Sequence, residues 1–171
     1  MTQRTLCQWK CFSVEQSEHQ LPDGRHIEFT TVKHPGAVIV LPITNQGDLV
    51  MVKQYRPAIG KWILEFPAGT LEPNEDILTC AQRELAEEAQ LQARDWQAMG
   101  DLFPVPGFCD EVQHVYLARG LSPANGELDE DEIIEVVTLT PQAFISNVAD
   151  GKINDAKTLA TFLKAQASGY L

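Results

Sequence analysis

Apolar and β-branched positions along this chain fall into short runs broken by turn-forming residues, the rhythm of a strand-rich protein with few helices. Thr5 to Val14 predicts a first strand, followed by a polar stretch and the turn signal Pro22-Asp23-Gly24; Arg25 to Lys33 alternates well enough to be its partner. Ala37 to Ile43 is continuously apolar and β-branched, which predicts a buried strand, and Asn45-Gln46-Gly47-Asp48 turns it into another from Leu49 to Tyr55. Pro57 to Lys61 reads as a loop and Trp62 to Phe66 as a short strand. A helix follows, with Asn74 as N-cap, Glu75 and Asp76 at the positive end of its dipole, and Ile77, Ala81 and Leu85 along one face. Trp96 to Leu102, Gln113 to Ala118 and Ile133 to Leu139 predict further strands. Thr140 caps a short helix opened by Pro141 and ending near Gly151, and a last helix runs from about Asp155 to Ala167. The fold class is α+β.

At 171 residues the chain is expected to form one compact domain. The best apolar run, Gly36 to Ile43, is far short of the roughly 18 residues a membrane span needs, and the start MTQRTLCQWKCF has no basic region followed by an apolar stretch. The cysteines at 7, 11, 80 and 109 form neither a CxxC pair nor a disulfide framework; they read as reduced packing residues, and a cytoplasmic location is expected. A net charge of −11 argues against nucleic acid as a partner. An anionic small molecule is compatible with it only where cations mask the repulsion; otherwise the acidity serves solubility.

The chemistry concentrates between Gly69 and Leu91, GTLEPNEDILTCAQRELAEEAQL. On a helix, Glu84 and Glu88 stack one turn apart and Glu87 lies on the same side, a crowding that costs roughly 0.2–0.5 kcal/mol per pair unless something positive is present. Either the three form a solvated acidic face, helped by an Arg83–Glu87 pair, or they bind a divalent metal. The wider spacing decides: Gly69, Glu75, then Arg83-Glu84-Leu85, Glu87-Glu88 and Leu91 follow the Nudix box, with Gln90 standing where the box has glycine. The chain therefore resembles a Nudix hydrolase, whose fold is an αβα sandwich. Lys53-Gln54-Tyr55-Arg56-Pro57, Leu64-Glu65-Phe66-Pro67-Ala68-Gly69, and Pro106 fifteen residues beyond Leu91 make it similar to the ADP-ribose and nucleoside-diphosphate-sugar pyrophosphatases of that family. The resemblance covers roughly residues 32–163.

The resemblance implies a residue-by-residue assignment. Glu84 and Glu88 are the principal magnesium ligands, with Glu87 assisting or acting as base, and the Ala68 carbonyl is a further oxygen ligand beside the flexible Gly69. Manganese is an alternative to magnesium. Arg83 and Glu75 form a structural ion pair. Gln90 alters the helix exit, where positive φ is preferred. The acidic run Glu127, Asp129, Glu130, Asp131, Glu132 and Glu135 reads alone as a solvated loop or a loose calcium site. In the family, a late glutamate acts as base or metal ligand, which implies Glu130 and Glu132 without saying which does which. Arg56 is a candidate diphosphate contact, or a plain surface arginine. Phe29 and Trp9 are candidates for stacking on the base, or simply core aromatics; Pro106 and Phe108 complete the candidate substrate residues. Residues 1–34 are expected to form a separate strand unit that shares a homodimer interface, and 35–171 the catalytic domain. The implied activity is metal-dependent hydrolysis of ADP-ribose or a related nucleoside diphosphate sugar. GDP-mannose or another hexose diphosphate is the alternative substrate, and a non-catalytic nucleotide-sugar sensor the remote one.

Overall fold

A computed structural model describes residues 3–128 and 133–171. Among the described residues the strands form three sheets. The first is antiparallel, β1 (Gln3–Trp9), β2 (Phe12–Gln20) and β3 (His26–Lys33). The second holds β5 (Leu49–Arg56) between β10 (Ile134–Leu139) and β6 (Lys61–Glu65). The third has the order β7 (Ala68–Thr70), β4 (Ala37–Pro42), β9 (Gln113–Pro123), β8 (Leu91–Leu102), with β4 and β9 parallel. The helices are α1 (Ile77–Ala89), α2 (Pro141–Ala149) and α3 (Ala156–Ala167).

The apolar run of β4 has the partners its sequence requires. Side chains alternate across a strand, so Ile39 and Leu41 point one way and Val38 and Val40 the other. The first pair joins Leu49, Met51, Val115, Leu117, Phe144 of α2 and Phe162 of α3. The second joins Val50, Ala118 and the Cys80, Ala81, Leu85 face of α1. Helices thus cover both faces of the sheet, the layering expected of an αβα sandwich within an α+β fold. Rings reinforce one layer: Phe144 stacks on Phe162 at 4.0 Å between centroids and on Phe66 at 5.8 Å. Among the described residues, no helix is long and apolar enough to cross a membrane.

Several local expectations are corrected. Thr5–Val14 is not one strand: the chain reverses at Lys10-Cys11, with Lys10 at φ 41°, and Trp9 pairs with Phe12. The polar stretch that follows is the body of β2, a strand in which no residue is buried. The cap of α1 is Asp76, not Asn74; its Oδ2 accepts from the Leu78 and Thr79 amides, both at 3.1 Å, while Asn74 takes φ 66° in the turn before it. β8 starts directly after α1, so the β8–β9 hairpin is longer than its apolar pattern suggests. Cys7 and Cys11 are exposed; of the four thiols, only Cys80 is a fully buried packing residue.

Candidate active site

The site forms where β7 meets α1. Gly69 lies so close to the Glu84 carboxylate that a Cβ there would stand 1.8 Å from Oε1. Real Cβ atoms never approach that closely, so position 69 is glycine because a carboxylate fills the space a side chain would take. Glu84 and Glu88 are 8% and 3% exposed, although both are acids. Carboxylates are rarely buried this way without strong partners. The Ala68 amide donates to Glu88 Oε2 at 2.9 Å, and Arg83 Nη1 donates to Glu84 Oε1 at 2.7 Å.

Arg83 organises the surrounding charge. Its Nε and Nη2 grip Glu75 at 2.9 and 3.0 Å, a bidentate fork that ties the loop before α1 to the helix. Nη1 reaches Glu87 at 3.0 Å as well as Glu84, and Nη2 donates to the Thr70 carbonyl at 3.3 Å. The Arg83 hydrogen bonds hold the Glu75 carboxyl at about 2, against the smaller opposing effect of burial. Hydrogen bonding to Glu75 in turn raises the guanidinium further above its ordinary range. Beneath them, burial pushes the Cys80 thiol up to about 12, so it stays protonated and is no nucleophile.

Arg56, at the end of β5, lines the same cleft of about 360 Å³ together with Ala68, Gly69, Glu84 and Glu87. Its Nε and Nη2 donate to Glu65 at 2.7 and 2.9 Å. Glu65 is fully buried, and Lys157 of α3 binds it from the other side while also pairing with Asp155 at 3.1 Å. Burial disfavours the Arg56 charge, but the Glu65 bonds outweigh it, with a further contribution from Glu88, and its pKa rises. Arg56 is therefore a held cation on the cleft wall rather than a loose surface arginine.

A divalent cation suits this set. The donors are hard oxygens on two buried carboxylates, Glu84 pressed against Gly69 and Glu88 bonded to the Ala68 amide. Among the described residues no three Asp, Glu, His or Cys side chains gather as a metal cage. Magnesium characteristically takes one or two carboxylates and fills its octahedron with water and substrate phosphate. Glu84 and Glu88 match that demand.

The remaining candidates divide. Phe29, Pro106 and Phe108 do come together, with Phe103, but in a separate, largely apolar cleft of about 590 Å³ between β3 and the β8–β9 loop. Trp9 lines neither cleft and is 62% exposed, and neither it nor Phe29 belongs to the buried core. Glu130 and Glu132 lie outside the described residues. Sequence reasoning missed Cys11, which the β1–β2 turn brings to the box cleft, and the Glu65–Lys157 pair behind Arg56. A buried acid in Leu64-Glu65-Phe66 was the available signal for the second; the first had none.

Comparison with known proteins agrees with this geometry. An ADP-ribose pyrophosphatase of Bacillus subtilis is 42% identical over 151 residues, 87% of this chain and 82% of that protein. A methanol dehydrogenase activator of Bacillus methanolicus is 40% identical over 148 residues, 85% and 80% of the two chains. A crystal structure of an ADP compounds hydrolase superposes with a TM-score of 0.82 at 22% identity, covering 98% of this chain and 91% of that one, a likeness of fold. The NUDIX domain model matches residues 33–162, and the chain belongs to the Nudix family.

Proposed function

We propose that this Nudix pyrophosphatase hydrolyses the diphosphate linkage of ADP-ribose or a closely related nucleoside diphosphate sugar, using magnesium, to a nucleoside monophosphate and a sugar phosphate. The observation that carries the reading is the buried Glu84 carboxylate packed on Gly69, with buried Glu88 on the adjoining Ala68 amide and the held cation Arg56 on the same cleft as Glu84. When bound, the metal neutralises the diphosphate and lowers the pKa of an attacking water. Glu84 and Glu88, with the Ala68 carbonyl, would hold it. Arg56 presents a planar fork suited to two phosphate oxygens, and its anchoring on Glu65 removes most of the entropy cost of positioning it. Arg83 and Glu75 keep the β7–α1 loop in place, so that the acids do not swing apart. The proton of the attacking water passes to Glu130 or Glu132, or to Glu87 if neither late glutamate reaches it.

Leu6, Trp9, Phe12 and Phe29 are exposed on the N-terminal sheet, which supports a homodimer joined through residues 1–34. The aromatic cleft containing Phe29, Pro106 and Phe108 then serves as a candidate surface for the base. A cytoplasmic enzyme is consistent with the unpaired thiols.

The test is incubation with ADP-ribose and magnesium, following AMP and ribose phosphate. Release of both, dependent on the metal, is expected; an inert mixture at substrate concentrations that sustain other nucleoside diphosphate sugars would overturn the substrate. A side-by-side panel including GDP-mannose separates the hexose alternative, and manganese in place of magnesium tests the ion.

A further inference from the structure

Three carboxylates act on the charge of Arg56: Glu65, Glu88 and Asp155. Glu88 belongs to the set suited to a metal; the other two do not line the cleft and pull on the guanidinium from the protein side. Glu65 is fully buried, its Oε1 accepting from Arg56 Nε at 2.7 Å and its Oε2 from Arg56 Nη2 at 2.9 Å. Asp155 caps α3, its Oδ2 accepting from the Thr158 amide at 3.0 Å. Lys157 answers both acids: its Nζ shares Glu65 Oε2 with Arg56 Nη2 and pairs with Asp155 Oδ2 at 3.1 Å. Two cations thus balance two acids where water does little to screen them. Without Lys157, Arg56 alone would face both carboxylates, and the guanidinium would be drawn onto them at the expense of an anion in the cleft. The same turn of α3 fixes the backbone between the two halves of the site. Thr158, also fully buried, accepts from the Phe66 amide at 3.0 Å, and two residues on the Ala68 amide donates to Glu88. Lys157 itself does not line the cleft.

We propose that Lys157 is a positioning residue for the hydrolysis: by holding Glu65 and Asp155 it keeps the Arg56 guanidinium presented to the diphosphate. This rests on the reading in which Arg56 grips that diphosphate. An apolar side chain of similar length would fill the same space and keep α3 packed. What it cannot supply is the second positive charge on a buried acid. A contact made to the substrate equally before and at the transition state shows in KM rather than in kcat.

The experiment is steady-state kinetics of the full chain with ADP-ribose and magnesium, each variant assayed well below its own melting midpoint. K157M is expected to raise KM about tenfold or more with kcat within about threefold of wild type, because the diphosphate loses a presented cation. A purely structural lysine would instead lower the melting midpoint and leave the KM of the folded enzyme untouched. K157R restores a cation to Glu65 and should bring KM back to within about threefold of wild type. E65Q/K157M removes the buried acid together with its second cation, so its folding does not hinge on an under-compensated charge. Arg56 has then lost its anchor, and KM should stay high. In an R56M background K157M should change KM by less than about threefold, since the two residues act as one unit. A wild-type KM in K157M or in E65Q/K157M overturns the proposal, as does a K157R no better than K157M or a full tenfold rise in the R56M background. R56M with a wild-type KM sinks the underlying reading and the proposal with it; a high KM in R56M beside a wild-type KM in K157M sinks the proposal alone.

Discussion

The β7–α1 region and the N-terminal sheet are built by opposite means. Around α1 every charge is answered: Arg83 meets three carboxylates and a carbonyl, and Glu88 takes a backbone amide. In β1–β3 no residue is buried, and among the described residues the core begins at Ala37. The N-terminal sheet is joined to the body by the Val32–Cys109 bridge, in which the Val32 amide donates to the Phe108 carbonyl and the Asp110 amide to the Val32 carbonyl, and by the Lys33–Asp110 ion pair. A sheet with few buried side chains has little apolar burial to stabilise it. The contrast teaches that one region is fixed by interlocking charges, whereas the other is held to the body by a few backbone bonds and one ion pair.

The largest expected effect breaks the internal region at its chemistry. Glu88→Gln keeps an oxygen for the Ala68 amide but removes the charge, so turnover should fall by about 100-fold or more while the fold persists, read by kcat and circular dichroism. Near-normal rates with magnesium would show that the ligands are misassigned. Next in size, Gly69→Ala drives a methyl into the Glu84 carboxylate; a stability loss of about 1–3 kcal/mol, with slowed turnover, is expected in urea unfolding.

Acid sharpens the comparison further. The Arg83 hydrogen bonds hold Glu75 at about 2, well below its ordinary 4.5, so its contribution is fully present above the unfolded pKa. That contribution is lost as pH falls from 4.5 towards 2. In Glu75→Gln this part of the acid sensitivity should flatten, and stability at pH 7 should drop by about 1–3 kcal/mol. The smallest effect belongs to the other region. Leu6→Lys with Trp9→Lys should leave the unfolding free energy of the body unchanged within about 0.5 kcal/mol, since surface substitutions rarely do more. Sedimentation should nevertheless shift from dimer to monomer. A wild-type mass in that variant removes the N-terminal sheet from the interface.

The same division governs how much could be read from the chain. Helix spacing converts directly into proximity for Arg83 with Glu84 and Glu87, whereas the expected gathering of Glu84, Glu87 and Glu88 around one ion is not seen as a three-acid cage among the described residues. The continuous apolar character of residues 37–43 likewise announced a strand buried on both faces. The β1–β2 reversal was hidden because Trp9-Lys10-Cys11-Phe12 contains neither glycine nor proline, and Lys10 takes positive φ without any sequence signal. Asn74 misled as a cap because it suits turns as well as helix starts, and Asp76 won by reaching two amides. Contacts between distant positions, such as Glu65 with Lys157 or Gln90 with Gly126, carry no periodicity and emerge only when the chain is folded.

Glu65 has a last consequence. One acid shut off from solvent holds a cation from β5 and another from α3, while the Phe66 amide next to it donates to the Thr158 hydroxyl at 3.0 Å. The cleft wall at Arg56 is thereby coupled to α3. Warming or urea that loosens α3 should therefore blunt catalysis as it does so, making turnover a gauge of damage elsewhere in the core.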